Sequence, residues 1–254
     1  MEDLCLPPGI KLQWHRQLDS TNQHLLGQDA AQGVLVVADE QLAGRGRMQR
    51  TWQSPAGLNL YFSLALRPNQ PARVWGTLPL AVGVGVADGL AALGFVPQLK
   101  WPNDILLAGK KTGGILLEAR GAAVVAGVGL NVNQLDFPGL PQATSLAVVQ
   151  GNALSRPKVL EAVLDALWRR YEQWCGCGPH EILQTWLHYD VLQDKEIEIF
   201  VQDRLISATV MGIAWDGSLR LRDAGGQELF VHSGDASIKG SDSWQNGETG
   251  RKKG

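Results

Sequence analysis

Three cysteines in a chain of 254 residues are too few, and odd in number, to form a disulfide framework. That usage points to a reducing compartment, the cytoplasm. A surplus of one charge is also missing. The 23 Lys and Arg residues against 25 Asp and Glu leave a formal net charge of −2, so no general basic field recommends nucleic acid as the partner. No stretch is apolar for long enough to span a bilayer. The acidic opening Met1-Glu2-Asp3-Leu4 lacks the basic start and apolar core of a signal peptide. Internal repeats are absent. So is a Gly-x-x-x-x-Gly-Lys-Ser/Thr loop, which excludes a P-loop nucleotidase. Neither Gly44-x-Gly46 nor Gly83-x-Gly85 completes a dinucleotide fingerprint. Cys175, Cys177 and His180 supply only three clustered ligands, short of a structural zinc site. The five histidines show no triad logic.

What remains is a globular composition, 44% hydrophobic and 19% charged, with 30 glycines. The length allows one large domain with a small appendage. Along the chain, strand and helix signals alternate. A strand at Leu12-Gln13-Trp14 leads to Asp19-Ser20, good helix N-caps, and a short helix through Leu25-Leu26. Residues 33–38 and 58–66 read as strands, separated by a polar, basic loop from Gln41 to Pro55. Residues 78–93 are apolar nearly all round and read as a buried helix ending at Gly94. Short strands follow at 98–100, 115–118 and 124–128. Ser155 caps a helix with Pro157 in its first turn, and Leu160, Val163, Leu164, Leu167, Tyr171 and Trp174 form its apolar face. Another helix covers 181–189. After about Lys195 the texture becomes that of a small all-β barrel, with strands at 196–199, 208–213, 218–221 and 228–231 and turns at Asp216-Gly217 and Ala224-Gly225-Gly226. These signals divide the chain into a domain over 1–192, a β domain over 193–240 and a polar, disordered tail over 241–254.

Four segments could carry chemistry. Gly44-Arg45-Gly46-Arg47-Met48-Gln49-Arg50-Thr51-Trp52 combines backbone freedom, planar cationic donors and an aromatic face. Together these suit an anionic ligand with an aromatic ring, such as a nucleotide; a solvated basic loop or an RNA contact is the alternative reading. Lys100-Trp101-Pro102-Asn103-Asp104 offers an amide and a carboxylate at a strand end, for Mg²⁺ or merely to cap a turn. Gly109-Lys110-Lys111-Thr112-Gly113-Gly114 sets lysine beside a glycine-rich turn, for an anion or simply as an exposed hairpin. Gly127-Val128-Gly129-Leu130-Asn131 ends a buried strand in a polar residue, as a pocket wall or a plain terminus.

Taken in order with Asp19-Ser20-Thr21-Asn22 and Lys111-x-Gly113-Gly114-Ile115-Leu116-x-Glu118, these segments resemble the biotin protein ligases, in the short form without a DNA-binding domain. The resemblance runs from about residue 14 to 235. It implies an α+β fold: a mixed sheet flanked by helices, class II synthetase-like, with a small C-terminal SH3-like β-barrel. It implies a ligase that activates biotin with ATP to biotinyl-5′-AMP and transfers it to a lysine of a biotin carboxyl carrier protein, as in acetyl-CoA carboxylase. ATP and Mg²⁺ are the implied cofactors. DNA and membrane partners are not implied, and the resemblance leaves room for a homodimer.

Site roles follow from the same resemblance. Arg45, Lys111 and Asp104 would be catalytic. Ser20, Thr21, Gln41, Gly44, Arg45, Lys111, Gly114 and Gly127 would bind biotin. Arg47, Arg50, Trp52, Asn103 and Asn131 would bind ATP and the adenylate. No protein cage holds the metal; Mg²⁺ would come with ATP and sit near Asp104. Met48-Gln49 interrupts the run of basic residues or glycine usual in the family loop. Two rivals remain: a lipoate or octanoate transferase of the same fold, whose pocket would be a long apolar tunnel, and an RNA-binding module built on the arginine loop.

Overall fold

The computed structural model describes residues 4–28, 30–121, 123–201 and 204–239. The expected tail over 241–254 lies outside the described residues. The elements are β1 (Lys11–His15), α1 (Thr21–Gly27), β2 (Val34–Ala38), β3 (Leu60–Leu66), α2 (Leu78–Ala92), β4 (Pro97–Lys100), β5 (Asp104–Leu107), β6 (Lys110–Arg120), β7 (Ala123–Leu130), α3 (Leu146–Gln150), α4 (Arg156–Cys177) and α5 (His180–Tyr189), then β8 (Glu196–Val201), β9 (Arg204–Ile213), β10 (Leu219–Asp223), β11 (Glu228–Val231) and β12 (Asp235–Ile238).

The first seven strands form one mixed sheet in the order β1-β2-β3-β7-β6-β5-β4. Only β1 and β2 run parallel, with Lys11 opposite Val34; the other neighbours are antiparallel. The last five strands form a separate antiparallel sheet in the order β11-β10-β9-β8-β12, compatible with a small SH3-like barrel. Trp101 joins the two: its buried indole N–H donates to the carbonyl of Gly217 at 3.0 Å.

α2 is the central core helix. Its side chains are buried from Leu78 to Leu90 on almost every face, which explains why the sequence shows no amphipathic stripe there. Together with the 3₁₀ turn before it, the helical stretch over 72–92 is long and apolar enough to pass as a membrane span by composition, a correction to the sequence reading. Its most apolar window is 72% buried inside the protein, as a core helix should be. α4 crosses α2 closely because Gly85 and Gly89 face the backbone of Leu167 and Val163; a Cβ at Gly89 would come within 2.5 Å of the Val163 Cα. The expected α4 face of Leu160, Val163, Leu164, Leu167, Tyr171 and Trp174 is buried as a unit. Ser155 caps that helix, its hydroxyl accepting from the Lys158 N–H at 3.5 Å.

Two features depart from the sequence reading. Lys110 to Gly114 is not a glycine-rich turn but the first half of β6; the turn precedes it, at Ala108-Gly109, where both residues have positive φ. β5, β12 and α3 carry no strong sequence signal, each being only four or five residues long. Cys175 and Cys177 close α4 while His180 opens α5, and among the described residues no group of three or more His, Cys, Asp and Glu is placed to hold a metal.

Candidate active site

The site is built on one face of the mixed sheet, where the N-terminus of α1, the 41–55 loop and strands β3, β6 and β7 meet. Ser20 occupies the N-cap position of α1 in an extended backbone conformation, but its hydroxyl makes no cap bond. Thr21 and Asn22 begin the helix and are buried beneath the loop. Gln41 reaches back to them: its Oε1 accepts the Thr21 backbone N–H at 2.9 Å and lies 3.1 Å from Thr21 Oγ1. The other end of the amide is fixed, Nε2 donating to Ser54 Oγ at 3.0 Å.

The arginine loop is closed on itself. Gly46 N–H donates to the Arg50 carbonyl at 2.7 Å, Trp52 N–H to the Gly44 carbonyl at 2.9 Å, and Arg45 bridges to Thr51. A 3₁₀ turn over Arg47–Gln49 forms its tip, with Met48 and Gln49 both left-handed at φ 53° and 60°. The Arg45 guanidinium leaves this loop to meet Glu118 on β6, its Nη2 donating to both carboxylate oxygens at 3.0 Å. Its Nε is buried with no hydrogen-bond partner. Arg47 spans further, donating to Asn103 Oδ1 at 3.5 Å, Ser233 Oγ at 3.1 Å and the Gly234 carbonyl at 3.4 Å.

Trp52 turns inward over the two glycine strands. A Cβ at Gly129 on β7 would stand 2.5 Å from its indole, and one at Gly114 on β6 would stand 3.3 Å from it. Lys111 Nζ lies 5.7 Å from the ring centroid, within cation–π range. The same ammonium pairs with the Asp104 carboxylate, the first residue of β5. The indole N–H is buried and has no acceptor. Asn103, in the turn before β5, donates its amide to the Ile115 carbonyl at 2.8 Å. Asn131, just after β7, donates its side-chain amide to the Thr144 carbonyl at 3.0 Å.

The structure therefore brings Thr21, Gln41, Gly44, Arg45, Trp52, Asp104, Lys111, Gly114 and Gly127 to one face. Arg47 and Asn103 stand at its edge, and Asn131 holds a neighbouring loop. Arg50 is exposed on the loop rim. Neither principal cation stands alone: Arg45 faces Glu118 and Lys111 faces Asp104.

Three polar residues escaped the sequence reading. Asn22 donates Nδ2 to Glu118 Oε2 at 2.8 Å and to the Leu116 carbonyl at 3.1 Å. Ser63 on β3 lies 2.6 Å from Asn22 Oδ1 and 2.7 Å from Thr21 Oγ1. Asn22 and Glu118 lie inside the sequence motifs, which by themselves give neither a role. Ser63 had a signal of its own, a lone serine in the apolar run from Leu60 to Leu66, now wholly buried.

One turn along α1, His24 stacks edge-on against His15 of β1 with ring centroids 4.9 Å apart. Burial, and then the neighbouring His15, hold the His24 pKa below its ordinary 6.5.

Residues 14–134 match the model of the biotin/lipoate A/B protein ligase family. A bifunctional ligase/repressor BirA of Bacillus spizizenii is 41% identical over 179 residues, covering 66% of this chain and 55% of that protein's length. A biotin--[acetyl-CoA-carboxylase] ligase of Mycobacterium tuberculosis is 36% identical over 239 residues, covering 87% of this chain and 88% of that one. Among solved structures, a biotin protein ligase from Aquifex aeolicus in complex with biotin and ATP superposes with a TM-score of 0.82 at 28% identity, over 90% of this chain and 99% of that one.

Proposed function

The chain belongs to the biotin protein ligase family, and we propose that it condenses biotin with ATP to biotinyl-5′-adenylate and then passes the biotinyl group to a lysine of a biotin carboxyl carrier domain, that of acetyl-CoA carboxylase first among them. The observation that carries this reading is convergence. Segments scattered from Thr21 to Gly129 meet on one sheet face, with neutral hydrogen-bonding groups at one end and paired cations and an indole at the other.

The chemistry asks for little covalent help. In the first step a biotin carboxylate oxygen attacks the α-phosphorus, an acyl–O–P bond forms, and pyrophosphate leaves. Two anions must approach each other, so their repulsion is the chief obstacle. Lys111 is the cation best placed to offset it, and Asp104 holds that ammonium over Trp52. Arg45 shares its charge with Glu118 and anchors the loop stem, while Arg47 and Arg50 would face the adenylate from the rim. Trp52 supplies a flat surface for the adenine or the linking chain. Asp104 is the one carboxylate here suited to an ATP-bound Mg²⁺, which would neutralise phosphate charge when present. In the second step an acceptor lysine amine attacks the mixed anhydride and AMP leaves; Asp104 is the candidate to receive the amine proton.

Ser20, Thr21 and Gln41, with the backbones of Gly114 and Gly127, would hold the ureido head. Residues 1–192 would form the catalytic domain and 193–240 the β domain. A cytoplasmic location fits this role. Biotin-dependent exchange of pyrophosphate into ATP tests the first step. Incubation with biotin, MgATP and a carrier domain, read by mass, tests the second. Exchange supported by lipoate or octanoate but not biotin would overturn the reading in favour of the apolar-chain rival.

A further inference from the structure

We infer that the donor–acceptor polarity of the head-group pocket is set from outside it, by Glu118 acting through Asn22 and Ser63, and that this makes the pocket selective for a head that offers N–H donors. The inference rests on the proposed biotin reading and assigns that specificity to three residues that carry no role in it.

The chain of constraint starts at Glu118, whose carboxylate accepts from Arg45 and from Asn22. Asn22 Nδ2 faces two acceptors, Glu118 Oε2 and the Leu116 carbonyl, so both its hydrogens are committed. Its Oδ1 must then point the other way, toward Ser63 Oγ at 2.6 Å. A carboxamide oxygen only accepts, and a serine has one hydroxyl proton. Ser63 therefore gives that proton to Asn22. Ser63 Oγ also lies 2.7 Å from Thr21 Oγ1, a distance that needs a proton, and only Thr21 has one left to give.

The outcome at the pocket follows. With its proton turned inward to Ser63, Thr21 Oγ1 faces the ligand with lone pairs alone. Three gaps, 2.6 Å from Asn22 Oδ1 to Ser63, 2.7 Å from Ser63 to Thr21 and 3.1 Å from Thr21 Oγ1 to Gln41 Oε1, share two hydroxyl protons, so the longest gap is the one left without; Gln41 Oε1 accepts the Thr21 backbone N–H and keeps its second lone pair. Gln41 cannot swap its amide ends, because a flip would set its NH2 against the Thr21 backbone N–H, and Ser54 gives its own proton to the Trp52 carbonyl and can only accept from Nε2. Gly127 closes the back of the relay: a Cβ there would collide with the Asn22 carboxamide. Thr21 and Gln41 thus act as acceptors toward whatever enters. A cyclic urea, with two N–H groups, satisfies them. A dithiolane ring or the end of a plain acyl chain offers no N–H and would leave them desolvated and unpaired. Asn22, Ser63 and Glu118 are positioning residues in this scheme.

Calorimetric titration of the full chain with biotin, and separately with ATP, tests it. Biotin binding by the unmodified protein belongs to the proposed function, and its failure would count against that reading alone. Ser63→Ala leaves Thr21 no inward acceptor, so its proton turns to Gln41 and cancels one acceptor; biotin affinity should fall about tenfold with ATP affinity and melting temperature held. Asn22→Asp sets a second carboxylate against Glu118 and the Leu116 carbonyl, and should cost at least about tenfold in biotin affinity. Adding Glu118→Gln to Asn22→Asp restores an amide donor between the two and should recover much of that loss. Unchanged biotin affinity in Ser63→Ala overturns the inference, and so does a double variant no better than Asn22→Asp. If Asn22→Asp fails to fold, Ser63→Ala decides alone.

Discussion

The Trp52 indole rests against the backbone of Gly129, so closely that a Cβ on that residue would stand 2.5 Å from the ring. Neither indole nor strand has room to yield, because Gly114 and Lys111 border the ring from β6. Gly129→Ala should expel the indole while leaving β7 paired. The expected result is a loss of at least about tenfold in biotin-dependent pyrophosphate exchange, since misplacement of an ångström near the reacting groups costs that much or more. Exchange at the unmodified rate would show that the indole seat is not used.

Adjacent lysines on a strand point to opposite faces. Lys111 turns to Asp104 and Trp52, whereas Lys110 is exposed. Lys111→Gln should lower exchange about a hundredfold, the usual scale for losing one group aimed at developing charge. Lys110→Gln should change it by no more than about twofold, as exposed lysines contribute little. Initial rates at saturating biotin and ATP distinguish the two, and equal losses would refute the assignment.

Left-handed backbone at Met48 and Gln49 costs about 1–2 kcal/mol per residue when no glycine is present. A β-branched side chain would raise that cost. Gln49→Val should therefore loosen the loop tip and speed tryptic cleavage after Arg47 or Arg50 several-fold, while Gln49→Gly should not. Biotin with MgATP should slow the same cuts in the unmodified chain, because an anion relieves the repulsion among three nearby arginines. Cleavage rates followed by mass measure both effects.

Acid should weaken the fold through His24. The folded protein holds this imidazole neutral, with its pKa lowered, while the unfolded chain takes up the proton near 6.5. The unfolded state then binds more protons, so stability is full above pH 6.5 and is lost as pH falls through the lowered folded value. In His24→Gln that part of the pH dependence should vanish. Melting temperatures between about pH 5 and 8 provide the comparison; parallel curves for the two proteins would exclude His24 as a source.

Much of the architecture is legible because its signals are local. α2 and α4 announce themselves by apolar content, caps and spacing, and the strands at Val34–Ala38 and Leu60–Leu66 by compact apolar runs. Lys110 to Gly114 misleads because its glycines serve close packing between strands rather than a turn: a Cβ at Gly113 would stand 2.9 Å from the Gly129 carbonyl. The motif residues were visible as motifs, but their partners were not. Arg45 and Glu118 are 73 positions apart, and Asn22 and Glu118 are 96 apart. Only folding reveals that Arg45 and Lys111 each have a carboxylate beside them, or that Ser63 is wired to the pocket through Thr21.

Arg47 ties the loop tip at once to the turn before β5 and to Ser233 and Gly234 in the turn between β11 and β12 of the second sheet. Free energies of coupled equilibria are reciprocal. If ligand binding favours the Arg47 contacts, those contacts favour ligand binding by the same free energy, and a lesion at Ser233 or Gly234 must register as weaker ligand binding. Slowed amide hydrogen exchange around residues 231–238 on addition of biotin and ATP would be the visible trace of that coupling. In this sense the small sheet is a reporter of occupancy as much as a neighbour of the site, and its fluctuations carry information about chemistry that takes place on the other side of Arg47.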